Sequence, residues 1–171
     1  MAEATGATLE AWLDPTGITT KRLHIRATTR DDLPAMERTW LDPEIRRYLG
    51  GPVSTETLEL RRQMQPRRGM FTVTLDEGTV VGFCHYGRTD RGDLELSYSF
   101  LPEHWGYGYA REACTAVLNW GFANVPGTER IVAITQAANL RSVRLLQALG
   151  MAKIDEFIQF DAPQVMYAAF R

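Results

Sequence analysis

One stretch of the sequence constrains the fold more than any other. Residues 94–108 read LELSYSFLPEHWGYG and are followed by an apolar helix that begins near Tyr109. The pattern predicts a strand, a short glycine-bearing turn and a helix start, so several backbone N–H groups point at one spot at the positive end of a helix. Gly106 and Gly108 have no Cβ, so a ligand can approach the backbone closely. The junction is therefore suited to a phosphate or pyrophosphate.

Composition and charge indicate a single globular domain and give no sign of nucleic-acid or membrane binding. The 171 residues suffice for one domain with a sizeable core, and the net charge of −2 gives no basic excess for nucleic acid or an anionic membrane. No apolar run approaches the roughly 18–20 residues of a membrane span, and the first 19 residues lack the features of a secretory signal. We therefore expect a cytoplasmic protein with two buried thiols, Cys84 and Cys114, and no metal site.

Periodicity along the chain predicts a mixed α/β sheet with helices on its faces and the order β-α-α-β-β-β-α-β-α-β-β. Residues 1–19 are expected to form a tail or arm, and 20–171 one domain. Strands are expected at 21–27, 70–75, 80–88, 94–101, 130–135, 153–160 and 164–170. Helices are expected from Asp31 or Asp32 to Trp40, over 57–65 with a cap at Ser54 or Thr55, after the glycine turn, and from Asn139 to Gly150.

Two common nucleotide-binding patterns do not fit the turn. A dinucleotide fingerprint needs a third glycine at position 111 and a place in the first βαβ unit, whereas three antiparallel strands are expected to come first here. A P-loop is excluded because the chain contains no Gly-Lys-Ser or Gly-Lys-Thr. The ligand must therefore belong to another class.

The turn resembles the acetyl-CoA-binding signature of the GNAT acyltransferases, [Q/R]-x-x-G-x-[G/A], over residues 103–108 and on through Tyr109 and Ala110. A second GNAT element is similar to Asn139-Leu140-Arg141-Ser142 followed by Leu149-Gly150-Met151. Three further segments, at 20–26, 42–51 and 105–109, resemble the branch that acetylates the N-termini of ribosomal proteins. The resemblance spans residues 20–171 and implies a GNAT fold whose largely antiparallel sheet is splayed at the acetyl-CoA site.

Three positions depart from the family pattern. Glu103 replaces the usual Gln or Arg and adds a negative charge near the expected pyrophosphate, for which Arg111 is a candidate compensating cation. Leu146 stands where many members carry the tyrosine that acts as general acid, so it cannot fill that role. Met151 replaces a phenylalanine, which changes packing only.

The resemblance implies an acetyl-CoA-dependent N-acetyltransferase and assigns its site residues. Glu95 matches the glutamate that often serves as base, and Ser142 the serine whose hydroxyl reaches the CoA sulfur. Acetyl-CoA is expected to be bound by Phe100, Leu101, His104, Trp105, Gly106, Tyr107, Gly108, Tyr109, Ala110, Asn139 and Ser142. An exposed strand carboxylate, for Glu95, and helix capping, for Ser142, are the alternative interpretations.

The amine acceptor is left open. A protein N-terminus, a small amine such as an amino acid, a polyamine or an antibiotic, and a catalytically silent acyl-CoA-binding protein of the same fold are all compatible with the sequence. His85 and His24 are further candidate bases, and Trp40, Tyr48 and Tyr86 could line the acceptor site. A homodimer is expected from the resemblance and from the apolar closing strand 164–170, which would otherwise leave an exposed sheet edge.

Overall fold

The computed structural model describes residues 17–171, which form one open sheet with four α-helices. The strands are β1 Ile18–Thr19, β2 His24–Ala27, β3 Met70–Thr74, β4 Val80–Arg88, β5 Leu94–Phe100, β6 Arg130–Gln136, β7 Ala152–Gln159 and β8 Ala162–Phe170. The helices are α1 Leu33–Leu41, α2 Thr55–Met64, α3 Tyr109–Asn124 and α4 Leu140–Ala148, with 3₁₀ turns at Arg30–Asp32, Ile45–Tyr48 and Pro102–His104.

The eight strands are ordered β1-β2-β3-β4-β5-β6-β8-β7. Every neighbouring pair is antiparallel except β5 and β6, which are parallel because α3 connects them as a crossover. The predicted element order and the mixed α/β class are therefore confirmed, with one added two-residue strand, β1. The predicted tail, 1–19, lies outside the described residues except for 17–19, and its boundary stays a prediction.

Local sequence signals account for the helix bounds. Ser54 caps α2 by accepting a hydrogen bond from the Thr57 backbone N–H, as predicted. Asp32 is different: its buried carboxylate does not cap α1 but accepts two bonds of 2.7 Å from the Arg26 guanidinium and one of 2.9 Å from Thr72. This network ties the start of α1 to β2 and β3.

Two apolar layers flank the sheet because strand side chains alternate between its faces. Cys84 and Tyr86 of β4 face α3 and α4 in the main core, whereas Phe83 faces α1 and α2. The apolar face of α3 is buried at Ala113, Cys114, Val117, Leu118 and Gly121, which recur at helical spacing. The sheet thus separates a well-packed face from a face that α1 and α2 cover only in part.

One expectation about the sheet edge is wrong. The closing strand β8 lies inside the sheet between β6 and β7, so it is not an edge. The chain adds β7 outside β8 as an antiparallel hairpin, which leaves β7 as the terminal strand. Across residues 17–171, no helix is both long and apolar enough to cross a membrane.

Candidate active site

A gap between β5 and β6 is the central feature of the site. β5 pairs with β4 along its whole length, but it pairs with β6 only at Leu94 and Glu95, after which the two strands separate. The Leu101 N–H donates to the Val81 carbonyl at 3.0 Å, so by antiparallel alternation the backbone groups of Tyr98 and Phe100 point away from β4. The gap is therefore lined by strand N–H and C=O groups that can bind an extended ligand.

The turn that follows β5 is built for close backbone approach. Gly106 and Gly108 have φ of 83° and 80°, a left-handed conformation in which a side chain is strained, and Gly108 is the N-terminal cap residue of α3. Arg22 holds the turn by donating to the Tyr107 carbonyl at 2.9 Å and to Glu112 at 2.7 Å. The first amides of α3 therefore open toward the cleft at the positive end of the helix.

The negative charge of Glu103, close to the glycine turn, is neutralised by a neighbouring arginine. Its carboxylate forms a bidentate pair with Arg38 of α1 at 2.7 and 3.0 Å, and this pair lowers the pKa of Glu103. The Arg141 guanidinium of α4 stacks 3.6 Å from the centre of the Trp105 ring, whose N–H donates to the Phe100 carbonyl at 2.7 Å. The negative charge is thus neutralised within the protein, while Arg111 and Arg141 line the cleft.

The start of α4 lies across the gap from β5. Asn139 caps the helix by accepting from the Ser142 backbone N–H at 3.2 Å, and the Ser142 hydroxyl lies 2.6 Å from the Tyr98 hydroxyl. Burial raises the pKa of Tyr98 well above its ordinary value, so this phenol keeps its proton. Leu146 is fully buried in the core.

Tyr98 is the site residue that the sequence did not reveal. Strand alternation indicated that it faces away from Glu95, but only the splay of the sheet brings it to Ser142. Its position three residues after Glu95 on a strand that lines the gap was the available signal.

Glu95 lies on the opposite face of β5 from Tyr98, together with Ser97 and Ser99. Burial, with a contribution from Asp90, raises the pKa of its carboxyl. His85 sits beside Ser97 on β4, and burial together with the positive charge of Arg67 lowers its pKa. Glu95 itself pairs with Gly87, so His85 lies two residues away along the sheet. A carboxyl of raised pKa accepts a proton more readily than an ordinary glutamate.

A cleft of about 1700 Å³ joins these groups. Of the residues that the sequence predicted, those that line it are Glu95, Phe100, His104, Trp105, Gly106, Gly108, Tyr109, Ala110, Asn139 and Ser142. Leu101 and Tyr107 do not line it: Leu101 is buried with its backbone N–H bonded to Val81, and the Tyr107 side chain is 61% exposed.

The remaining candidates divide between the cleft and other parts of the fold. His85, Trp40 and Tyr48 line the cleft. His24 does not, because it lies on β2 and contacts Asp76 at 3.2 Å. Tyr86 is buried under α3, where its hydroxyl donates to the Val117 carbonyl at 2.7 Å. Both cysteines are buried, and neither lines the cleft.

Comparison with known proteins agrees with this geometry. Residues 22–152 match the family model described as the acetyltransferase (GNAT) domain. The chain is 28% identical over 145 residues to the uncharacterized N-acetyltransferase p20 of Bacillus licheniformis, which covers 78% of this chain and 81% of that protein. It is similar to a GNAT-family acetyltransferase crystal structure from Bacillus anthracis, with a TM-score of 0.79, 26% identity, and coverage of 91% and 98%.

A third similarity is to a spermidine N-acetyltransferase from Vibrio cholerae whose structure contains CoA and spermine. The TM-score is 0.72 at 20% identity, with coverage of 88% of this chain and 96% of that one. At this identity the similarity concerns the fold alone.

Proposed function

Because this chain belongs to the GNAT acetyltransferase family and is an acyltransferase that uses acetyl-CoA, we propose that it acetylates a primary amine by direct attack in a ternary complex. One observation carries the proposal. The cleft runs without interruption from the glycine turn, through the gap between β5 and β6, to the half-buried side chain of Glu95. A donor bound in the gap and an amine bound beside Glu95 would meet at β5.

The residues of the gap fit the donor. The pyrophosphate would be held by the amides of residues 106–110 at the start of α3, with Arg111 and Arg141 as nearby cations. The backbone groups of Tyr98 and Phe100 that face the gap would bind the pantetheine arm. Acetyl-CoA supplies the acetyl group as a thioester. A Phe100 N–H directed at the thioester oxygen would stabilise negative charge as it develops there.

Glu95 is proposed as the base. An amine can attack only when it is neutral, and an α-amine has a reference pKa near 8. The raised pKa of the Glu95 carboxyl moves it closer to that of the amine, which favours proton transfer, directly or through water.

The Tyr98–Ser142 pair is proposed to serve the leaving group. A thiolate of pKa about 8.5 leaves readily and needs only a weak acid. Tyr98 keeps its proton at neutral pH and lies 2.6 Å from Ser142, so the serine hydroxyl can donate toward the sulfur while it accepts from the phenol. This pair would take the place of the tyrosine that the family usually carries at the position of Leu146.

Two acceptor classes remain within the proposal. A protein N-terminus, as in the ribosomal-protein branch, is supported by the segments at 20–26 and 42–51. A small amine is supported by the fold shared with the spermidine enzyme. We place the enzyme in the cytoplasm, with 20–171 as its domain, because its two cysteines are free buried thiols.

The test is to offer the protein acetyl-CoA with a panel of amines: peptide N-termini, amino acids, polyamines and aminoglycosides. Acetylation is measured as the rate at which free CoA is released. Initial rates with both substrates varied should give intersecting double-reciprocal lines, because neither buried cysteine can form an acetyl-enzyme. Parallel lines, or an acetyl group trapped on Cys84 or Cys114, would contradict direct attack. CoA binding with no acetylation of any amine would favour the silent binding protein.

A further inference from the structure

The acceptor side of the cleft carries a strong positive charge although the chain as a whole is acidic. Within residues 17–171, nine arginines line the cleft, against three carboxylates, Glu44, Asp90 and Glu95, which lie on the acceptor side. One of the nine, Arg91, is paired with Asp155 at 3.0 Å. Three of the arginines, at 111, 141 and 144, belong to the donor side, near the glycine turn and α4. The other six lie on the acceptor side, at positions 46, 47, 61, 67, 88 and 91. This excess is local, since the net charge of the chain is −2.

Three of these residues form a cluster that we call the arginine wall: Arg46 in the Ile45–Tyr48 turn, Arg61 on α2, and Arg67 before β3. Their positive charges repel one another. Burial and the charge of Arg61 lower the pKa of Arg46, and burial and the charge of Arg67 lower the pKa of Arg61. The Arg61 guanidinium lies 5.4 Å from the centre of the Trp40 ring, which holds it at the cleft surface.

The arginine wall has no ion-pair partner in the described part of the chain. Within residues 17–171, none of the three guanidinium groups forms an ion pair with a carboxylate. Arg62, one residue from Arg61 on the same helix, is instead paired with Glu37 at 2.7 Å. Partly buried like charges without a counter-ion are costly in free energy, so an anion from outside would stabilise them.

A side-chain amide beside the arginine wall also lacks a hydrogen-bond partner. The side-chain oxygen of Gln65, between Arg61 and Arg67, is buried and has no hydrogen-bond partner in the described part of the chain. Gln65 lines the cleft with the arginines. An amide oxygen accepts and does not donate, so this one could take a hydrogen bond from an N–H group of a bound substrate.

The arginine wall is positioned to act on the acceptor. Arg67 acts on His85, which pairs across the strands with Ser97, and Ser97 lies two residues from Glu95 on the same face of β5. Two residues of a strand span about 7 Å, so His85, whose pKa Arg67 lowers, lies about one such step along the sheet from the proposed base. If the amine of a substrate lies at Glu95, a second functional group of the same substrate would lie near the arginine wall.

We propose that the acceptor is a primary amine that also carries an anionic group, a carboxylate or a phosphate, which the arginine wall binds. Guanidinium groups recognise both anions through paired, charge-assisted hydrogen bonds. The inference rests on the proposed acetyltransferase function and specifies its substrate class. It predicts that polycations such as spermidine are poor acceptors, because the three guanidinium groups of the arginine wall would repel them.

The test compares acceptors that differ by one anionic group. The pairs are alanyl-aspartate amide with alanyl-asparagine amide, β-alanine with its amide, and 2-aminoethyl phosphate with ethanolamine; spermidine represents the polycations. The anionic member of at least one pair should have kcat/KM about 10–100-fold higher, as expected for a charge-assisted hydrogen bond. The pair with the largest ratio identifies the source as a peptide, an amino acid or a phosphate ester.

Variants then assign the preference to the wall. In Arg61→Gln and Arg67→Gln the ratio should fall toward one, with the KM for acetyl-CoA unchanged. Arg62→Gln removes the same charge from the same helix outside the cleft, so it should keep the ratio. Thermal unfolding checks that each variant is folded. A preference for spermidine or for the neutral members, or a ratio that survives in both wall variants, would overturn the inference.

A binding measurement separates this inference from the proposed function. If CoA binds but no amine is acetylated, the acetyltransferase proposal fails. Calorimetric titration of the same acceptor pairs into the protein–CoA complex still tests the arginine wall, because its preference for the anionic member does not depend on catalysis. Equal affinity for both members of all three pairs would contradict it.

Discussion

Individual side chains at the cleft acquire their chemistry from burial. Glu95 is an ordinary carboxylate in sequence, but burial and Asp90 raise its pKa, whereas burial and Arg67 lower that of His85. The two groups therefore move toward each other on the pH scale from opposite sides. The raised pKa of Glu95 brings it closer to that of an amine, which supports its proposed role as base.

The first residue-scale prediction concerns Glu95→Gln, which should lower kcat/KM by about 10²-fold if the carboxylate takes the amine proton. The raised pKa places the acid limb of the wild-type pH–rate profile above the ordinary range of a glutamate, with activity falling as the pH drops through that pKa. The variant should lose this limb. The difference should be greatest where the carboxylate is ionised and the amine is still mostly protonated.

Acetylation rates between pH 5 and 9, with CoA binding as a control for folding, provide the measurement. Unchanged activity in Glu95→Gln would move the role of base to His85 or to water.

The second residue-scale prediction concerns the Tyr98–Ser142 pair. Tyr98→Phe should lower kcat by about tenfold, a modest loss because a thiolate leaves readily. Ser142→Ala should also cost less than Glu95→Gln. Since the hydroxyls are 2.6 Å apart, the double variant should lose less than the product of the two single losses, which a double-mutant cycle measures. Independent effects would indicate that the phenol only packs against α4.

Among the elements, the junction of β5, the glycine turn and α3 depends on backbone conformation. Gly108 is left-handed at the cap of α3, and a Cβ there would lie 3.5 Å from the Arg22 Nη2 atom. A large side chain would therefore strain the turn and fill the approach to the first amides of the helix.

We expect Gly108→Trp to abolish CoA binding, as measured by calorimetry. Gly78→Trp is the matched control, because Gly78 is also left-handed, with φ of 89°, but lies in the β3–β4 turn outside the cleft. The control should keep its affinity for CoA. Equal affinity in both variants would contradict binding at this turn.

The exposed sheet edge at β7 is a candidate surface for association of two copies of the protein. The terminal strand β7 and its hairpin turn present Ile154, Ile158 and Phe160, of which Ile158 is 71% and Phe160 84% exposed. Apolar side chains on an unpaired edge favour association with a second copy. This is a different edge from the one that the sequence suggested.

We predict that light scattering at micromolar concentration gives at least twice the chain mass of 19.3 kDa. Ile158→Glu should shift the protein toward the monomer, and Glu56→Gln on α2 is a control for a surface charge change far from β7 in the sequence. A monomer for the wild type would contradict the prediction, and a dimer that persists in Ile158→Glu would place the interface elsewhere.

Local sequence patterns were enough to predict the order of the helices and strands and the glycine turn before α3. Alternation and capping are local properties, so β4 was predicted residue for residue, and the cap of α2 is Ser54, one of the two residues that the sequence offered. The glycine turn and the Asn139 cap are local as well, and both lie where the pattern placed them, on the two sides of the gap. Family resemblance added the splay of the sheet, which periodicity alone could not predict.

Contacts between residues far apart in sequence depend on tertiary packing, and the sequence pattern did not predict them. The contact of Tyr98 with Ser142, the pairing of Glu103 with Arg38, and the place of β8 inside the sheet all join segments far apart in sequence. The arginine wall likewise unites a turn, a helix and a loop, and within residues 17–171 none of its three guanidinium groups forms an ion pair with a carboxylate. Charges and hydroxyls act through space, so a linear pattern gives their identity but not their neighbours.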